Sequence, residues 1–232
     1  MLGLVTARGG SQGIPQKNIR QVGGKPLIAW TALAARSARS LARTILSTDS
    51  PEIANVGRQY GLEVPFMRPA ELAGPESAHV PVVVHALEWL DQHAAYRPEY
   101  LVLLQPTSPL RSSSDIDAAV ALALARGAPA VVSVTAAASH PFLTYRVDSG
   151  GRLEAFVPSD IPYKRRQDLP RVVALNGAVY VVRCDVFLRQ RSFLPEGTLA
   201  YEMPPERSLD VDSPWDLHLA DLVLKEILTN RR

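Results

Sequence analysis

The sequence predicts an α/β protein with a mostly parallel sheet and helices on both faces. Short apolar runs alternate with helical segments through the first 135 residues, as in successive strand–helix–strand units. The chain has 232 residues, of which 47% are hydrophobic, enough to bury a sizeable core in one domain spanning residues 1–232. A glycine-rich loop follows the first apolar run, the position at which such sheets bind phosphate groups.

The alternating elements follow from apolar periodicity and from helix-start residues. Ser50-Pro51-Glu52 combines a capping hydroxyl, a proline suited to the first turn and an early acid, so a helix begins there. Ser114 is the expected cap of a later helix. We predict strands at 2–6, 44–47, 63–66, 100–104 and 130–134, and helices at 26–38, 51–61, 80–93 and 115–125.

The alternation ends after residue 135. Apolar runs at 143–147 and 153–156 flank Asp148-Ser149-Gly150-Gly151, which predicts a hairpin. We interpret 136–171 as an excursion from the sheet, of the kind that covers a site or mediates dimerisation. A strand at 172–182, interrupted by Asn176-Gly177, and a final helix at 214–229 complete the pattern.

Composition excludes several classes of protein. The net charge is only +2, so a nucleic-acid partner is not indicated. Cys184 is the only cysteine, which rules out an intramolecular disulfide and suits a reducing compartment. No signal peptide and no apolar stretch approaching about 20 residues is present, so we expect no membrane partner and a cytoplasmic location.

The loop at residues 7–18 carries the first candidate site. It holds three glycines between Arg8 and Lys17, so backbone N–H groups and two cations can surround a polyphosphate. The spacing fits neither an ATPase P-loop nor a dinucleotide-binding loop. A plain surface loop is the alternative, but Lys17 is one of only four lysines in the chain.

Two further polar clusters follow predicted strands. Gln105 precedes Pro106, and Thr107 and Ser108 lie between Pro106 and Pro109; the prolines would hold these polar residues in place or simply make a turn. Asp210 and Asp212 share one face if their backbone is extended, and such a pair suits Mg²⁺ bound to a triphosphate. The alternative for the second cluster is that Asp212 or Ser213 caps the final helix.

Residues near the interrupted strand complete the candidates. Asn176 and Tyr180 have the same parity along a strand and are therefore expected on one face. Arg166 precedes them and could pair with a carboxylate. The five histidines show no metal-ligand spacing.

Several blocks of sequence together resemble the CMP-N-acetylneuraminate synthetase family, the cytidylyltransferases that activate sialic acid and related sugars. These blocks are ARGGSQGIPQKN, GGKPLIAWT, STD at 47–49, RPAELA at 68–73, LLQPTSPLR at 103–111, RQDLP at 166–170, NGAVY at 176–180 and DVD at 210–212. The resemblance implies a Rossmann-like nucleotidyltransferase fold, Mg²⁺ as cofactor and a homodimer whose contact involves 136–171. It implies CTP and an acidic sugar as substrates, with CMP-sugar and pyrophosphate as products.

The resemblance also implies roles for individual residues. It assigns the sugar or reacting region to Gln105, Thr107, Ser108, Arg166, Asn176 and Tyr180, with the sugar carboxylate on Arg166. It assigns Mg²⁺ to Asp210 and Asp212, and catalysis to Arg8, Lys17 and Asp212. It assigns CTP to Ala7, Arg8, Gly10, Ser11, Lys17, Asn18 and Arg68.

The chain departs from the family pattern at Gln12, where the family usually has a lysine. The segment at 74–79 and the residues around Phe142 also differ. Sialic acid is the first expected sugar, and legionaminic or pseudaminic acid, a deaminated nonulosonate, an amino-octulosonate and a phosphonate are alternatives. A nucleotide-binding protein without turnover is the non-enzymatic alternative.

Overall fold

The computed structural model describes residues 1–11, 13–74, 77–158 and 165–230. Its strands are β1 (Leu2–Thr6), β2 (Gln21–Val22), β3 (Lys25–Pro26), β4 (Arg43–Ser47), β5 (Tyr100–Leu104), β6 (Ala130–Ala136), β7 (Tyr145–Val147), β8 (Leu153–Ala155), β9 (Val173–Arg183) and β10 (Leu199–Glu202). Its α-helices are α1 (Leu27–Ser37), α2 (Pro51–Gln59), α3 (His79–Ala94), α4 (Ser113–Arg126), α5 (Cys184–Gln190) and α6 (Pro214–Thr229).

The central sheet has six strands in the order β10-β6-β9-β5-β1-β4. β1 pairs in parallel with β4 and β5, and β10 pairs in parallel with β6. β9 is antiparallel to both β5 and β6. The predicted mostly parallel α/β fold is therefore confirmed, and the carboxyl ends of β1 and β5 lie side by side.

Helices cover both faces of the sheet. Val5 and Val102 point into a core formed with α1, α2 and α4, whereas Leu4 and Leu101 point into a core formed with α3 and α5. Strands buried on both faces need continuous apolar runs, and β1 and β5 are buried at every position. A third apolar cluster joins α6 to the glycine-rich loop through Ile14.

Two local predictions were wrong. Residues 63–66 do not form a strand, because Glu63 alone bridges to Ile45 and Pro65 has no N–H to continue the ladder. Ser112, and not Ser114, caps α4, because Ser112 and Asp115 form a capping box. Asp117, the acid three residues after Ser114, accepts instead from the backbone N–H and hydroxyl of Ser40. The caps at Ser50 and Ser213 have the expected geometry.

The excursion contains the expected hairpin, formed by β7 and β8. Its apolar side chains are largely exposed: Val147 at 66%, Leu153 at 68% and Phe156 at 69%. None of the helices in the described ranges is long and apolar enough to cross a membrane.

Candidate active site

A cavity of about 420 Å³ lies at the carboxyl ends of β1 and β5. It is lined by residues from the glycine-rich loop, the loop after β5 and the segment before α6, which are far apart in the sequence. Nine of the side chains predicted for the site line this cavity: Arg8, Ser11, Lys17, Asn18, Arg68, Gln105, Thr107, Asp210 and Asp212.

The glycine-rich loop is fixed by its neighbours. The Gly9 N–H donates to Asp49 Oδ1 at 2.9 Å, and Asn18 Nδ2 donates to the Arg8 carbonyl oxygen at 3.0 Å. A Cβ on Gly13 would lie 2.9 Å from the backbone oxygen of Asp212, so only glycine permits this approach of the loop to the segment before α6. These contacts fix the described residues on either side of position 12 against their neighbours.

Three cations face the cavity. Lys17 Nζ donates to the Val211 carbonyl oxygen at 2.9 Å and forms an ion pair with Asp212 Oδ1 at 3.0 Å. Arg8 donates to the Gly74 carbonyl oxygen at 2.6 Å. Burial lowers the pKa of Arg68 to about 10; the charge of Asp49 opposes this shift and the charge of Arg8 adds to it. Arg68 therefore keeps its charge at neutral pH. Together they give the cavity a positive wall suited to phosphate oxygens.

Asp210 differs sharply from Asp212 in its surroundings. Asp210 Oδ1 is buried without a hydrogen-bond partner, although the Thr107 side chain bonds to the same carboxylate. Burial and the nearby Asp212 raise the pKa of Asp210. The Asp212 side chain is 73% exposed. Since Ser213 caps α6, Asp212 is not used as the cap.

The two aspartates fit a hard divalent cation. A buried carboxylate oxygen without a donor is stabilised by a cation in the cavity. Within the ranges that the structure describes, no group of three or more histidine, cysteine or acidic side chains could hold a metal ion. Two carboxylates completed by phosphate and water oxygens are the ligand set that Mg²⁺ prefers.

The loop after β5 is held from below by a buried arginine. Arg111 donates to the carbonyl oxygens of Gln105 at 3.1 Å and Ala178 at 2.7 Å, and to Thr31 Oγ1 at 2.6 Å. Burial lowers its pKa to about 9. The Val211 N–H donates to the Thr107 carbonyl oxygen at 2.8 Å, which joins this loop to the aspartate segment.

Asn176 and Tyr180 do not share a face, contrary to the parity argument. Gly177 has a φ of +72°, and the pairing of β9 with β6 shifts register there, so a bulge breaks the alternation. Tyr180 packs on Phe193, at 5.6 Å between ring centres, in the core on the α3 side.

The Asn176 side chain is buried and forms hydrogen bonds within the protein interior. Its Oδ1 accepts from Ser133 Oγ at 2.6 Å, and its Nδ2 donates to Ser208 Oγ at 2.9 Å and contacts the sulfur of Met203 in the opposite core. These bonds leave Asn176 outside the cavity lining.

The remaining predicted residues lie next to the cavity or outside the described residues. Ala7 and Ser108 are buried beside it, and Gly10 is exposed on the glycine-rich loop. The Arg166 side chain and the whole of Gln12 lie outside the described part of the chain.

Sequence reasoning missed several cavity residues, of which His79 is the most polar. His79 begins α3, and it contacts Thr6 and Gln105, which are distant in the sequence. Ser77 and Val82 also line the cavity. His79 lies in the segment at 74–79 that departs from the family pattern, and this departure was the available signal.

The fold and the site define an α/β protein built to bind a nucleoside polyphosphate, the class that includes the nucleotidyltransferases. Residues 2–200 match the family model described as Cytidylyltransferase. The chain therefore belongs to the cytidylyltransferase family and is a nucleotidyltransferase.

Two relatives show which members this chain is similar to. The CMP-N,N'-diacetyllegionaminic acid synthase of Legionella pneumophila is 33% identical over 229 residues, covering 97% of this chain and 96% of the relative. The N-acylneuraminate cytidylyltransferase of Streptococcus agalactiae is 33% identical over 215 residues, covering 92% of this chain. This chain spans about half of that second relative, at 50% coverage.

A solved structure agrees on the fold. The CMP:2-keto-3-deoxy-manno-octonic acid synthetase complexed with CTP superimposes with a TM-score of 0.70 and 18% identity, covering 100% of this chain and 99% of the other. The likeness confirms the Rossmann-like nucleotidyltransferase architecture.

Proposed function

We propose that this cytidylyltransferase activates a nine-carbon α-keto acid sugar of the nonulosonic acid class. The C2 hydroxyl oxygen of the sugar attacks the α-phosphorus of CTP and forms a new O–P bond. The bond between the α-phosphorus and the bridging oxygen breaks, pyrophosphate leaves, and the hydroxyl loses its proton. The products are the CMP-sugar and pyrophosphate.

One observation carries the proposal: three cations, two carboxylates and the uncharged polar side chains of Gln105 and Thr107 line a single cavity. Lys17 and Arg8 would neutralise the leaving pyrophosphate, whose charge grows as the anhydride bond breaks. Gln105 and Thr107 offer uncharged donors and acceptors to sugar hydroxyls. Catalysis would then depend mainly on positioning and charge neutralisation.

We propose Mg²⁺ as the cofactor, held by Asp210 and Asp212. The support is the buried, unpaired Asp210 Oδ1 and the second carboxylate beside it. When bound, Mg²⁺ would polarise the α-phosphate and favour ionisation of the attacking hydroxyl. Lys17 meanwhile holds Asp212 in place through their ion pair.

The relatives support the nonulosonic acid class and set the order of the substrates to test. Legionaminic acid synthases match this chain over nearly their whole length, including one from Campylobacter jejuni at 29% identity and 94% coverage of the relative. N-Acylneuraminate cytidylyltransferases match at similar identity over half of their length. N-Acetylneuraminic and di-N-acetyllegionaminic acids are therefore the first pair, followed by pseudaminic acid, a deaminated nonulosonate and an octulosonate.

The test is pyrophosphate release from CTP and Mg²⁺ with each sugar, compared with ATP, GTP and UTP. We expect release with CTP and at least one nonulosonate, and a CMP-sugar in the same amount by mass spectrometry. CTP binding by calorimetry without release with any sugar would overturn the proposal and favour a nucleotide-binding protein. Release with only the octulosonate would show that the substrate is an eight-carbon and not a nine-carbon acidic sugar.

We also propose that the enzyme is a homodimer. The support is the exposed apolar surface of the β7–β8 hairpin, since isolated monomers rarely leave such a patch uncovered. Light scattering after size exclusion should give twice the chain mass of 25.3 kDa. Phe156→Lys should shift the species toward the monomer, and a monomeric unmodified protein would overturn this proposal.

A further inference from the structure

Both ring nitrogens of His79 are engaged inside the cavity. Nδ1 lies 3.3 Å from Thr6 Oγ1, and Nε2 lies 3.3 Å from Gln105 Nε2. Thr6 is the last residue of β1 and Gln105 follows β5, so His79 bridges the two strand ends that form the floor of the cavity. His79 is the first residue of α3, and this helix holds the imidazole above the two strand ends.

Burial and two nearby cations disfavour protonation of the His79 ring. Burial, then Arg68 and Arg8, lower its pKa from the usual value of 6.5. These two arginines are the charged groups that face it from the neighbouring loops, and the other charged residues of the cavity lining are Lys17, Asp210 and Asp212. A helix N-terminus also disfavours an added positive charge.

When the ring is neutral, the donor and the acceptor in each of the two hydrogen bonds of His79 can be assigned. Neutral imidazole has one donor and one acceptor, whereas an amide nitrogen can only donate. Nε2 is therefore the acceptor from Gln105, Nδ1 carries the proton, and Thr6 Oγ1 accepts it. The Gln105 amide is then held with its Oε1 toward Gly177, where a Cβ would lie only 2.8 Å from that oxygen.

We propose that His79 is a positioning residue, which in its neutral form fixes the orientation of the Gln105 side-chain amide that the sugar meets. The assignment of Gln105 to the sugar rests on the proposed function. Protonation of His79 makes Nε2 a donor facing the amide NH₂, so Gln105 must turn over. Sugar binding therefore weakens as pH falls through the His79 pKa.

The first test needs no turnover. In ¹⁵N-glutamine-labelled protein, the Gln105 side-chain resonance is identified by its loss in Gln105→Ala. We expect this resonance to shift with a midpoint below 6.5, the same midpoint as the His79 ring. The shift should vanish in His79→Gln. It should persist in His93→Gln, which makes the same change at an exposed histidine of the same helix. A resonance that does not move while His79 titrates overturns the proposal.

The second test separates positioning from direct contact. His79→Ala should raise the KM for the sugar about fivefold, as expected for one lost neutral hydrogen bond, and change the KM for CTP less than twofold. His79→Gln, which keeps an acceptor and cannot titrate, should regain most of the loss and remove the acid limb of kcat/KM for the sugar. In the Gln105→Ala background, His79→Ala should have no further effect.

Two kinetic outcomes overturn the proposal. A larger effect on CTP than on the sugar would mean that His79 contacts the nucleotide itself. Additive effects of the two alanine variants would mean that His79 does not act through Gln105. If the unmodified enzyme uses no sugar, the proposed function fails, while the resonance titration still decides the role of His79.

Discussion

Replacing Asp210 with asparagine should make the unliganded protein more stable and the enzyme nearly inactive. The folded state raises the pKa of this carboxyl above its usual 3.8, through burial and the charge of Asp212. A carboxyl with a raised folded pKa stabilises the protein below its unfolded pKa, and this contribution is lost as pH rises through the folded pKa. At pH 7 the ionised side chain therefore costs stability, which asparagine recovers.

The two effects have different sizes. A neutral amide at this position should recover about 1 kcal/mol of the free energy of unfolding, the lower end of the cost of an unpaired buried polar group. That gain corresponds to a rise in Tm of about 2–4 °C for a domain of this size. Losing a carboxylate that holds the cation should lower kcat by about 10²–10³-fold, or about 3–4 kcal/mol of transition-state stabilisation.

Calorimetric unfolding across pH and steady-state pyrophosphate release measure the two effects. The stability gain should shrink as the solution is acidified and be constant above the raised pKa. Mg²⁺ with a non-hydrolysable CTP analogue should raise the Tm of the unmodified enzyme much more than that of the variant. Asp91→Asn, in an exposed ion pair with Arg97, is the matched control. A destabilised Asp210→Asn variant, or one with near-normal kcat, would refute the reasoning.

Three further substitutions probe other parts of the site. Lys17→Met should raise the KM for CTP at least about tenfold, because a cation facing the phosphates is removed, and a change confined to the KM for the sugar in steady-state assays would contradict this role. Asp115→Asn should lower the free energy of unfolding in urea by about 2 kcal/mol, less than for a fully buried pair because Arg207 is 42% exposed. Burial opposes ionisation of Asp115, but hydrogen bonds from Arg207 and Ser112 prevail and lower its pKa. The loss of stability in this variant should therefore fade as pH falls through the lowered pKa. A loss of the same size in acid would contradict the ion-pair account. Gly177→Ala should cost about 1–2 kcal/mol through its left-handed backbone and raise the KM for the sugar by displacing Gln105, and unchanged kinetics would show that Gln105 does not bind it.

Elements with a strong local signal were predictable from the sequence. β1, β5 and α6 have the predicted bounds, because a fully apolar run or a Ser-Pro helix start is unambiguous over a few residues. The glycine-rich loop and the loop after β5 follow adjacent parallel strands, so their convergence follows from one topological rule. The aspartate pair was also recognised locally, but it lies just before α6 and meets the cavity through the bond between Val211 and Thr107.

What could not be predicted depends on contacts between distant segments. His79 meets Thr6 across 73 positions of sequence, and no local period marks such a contact. The bulge at Gly177 depends on how β9 passes Gln105 and Asp210, so strand parity alone misplaced Asn176. β10 was not predicted because it is a short edge strand of only four residues.

The apolar cluster that joins Ile14 and Val22 to Val211 and Leu224 has a consequence for the order in which the enzyme matures. A chain emerging from the ribosome can assemble most of its sheet before residues 211–224 appear. Until then the glycine-rich loop lacks its apolar support and the two aspartates are not yet in place. We therefore expect newly made enzyme to become active only after residues 211–224 have packed against the glycine-rich loop.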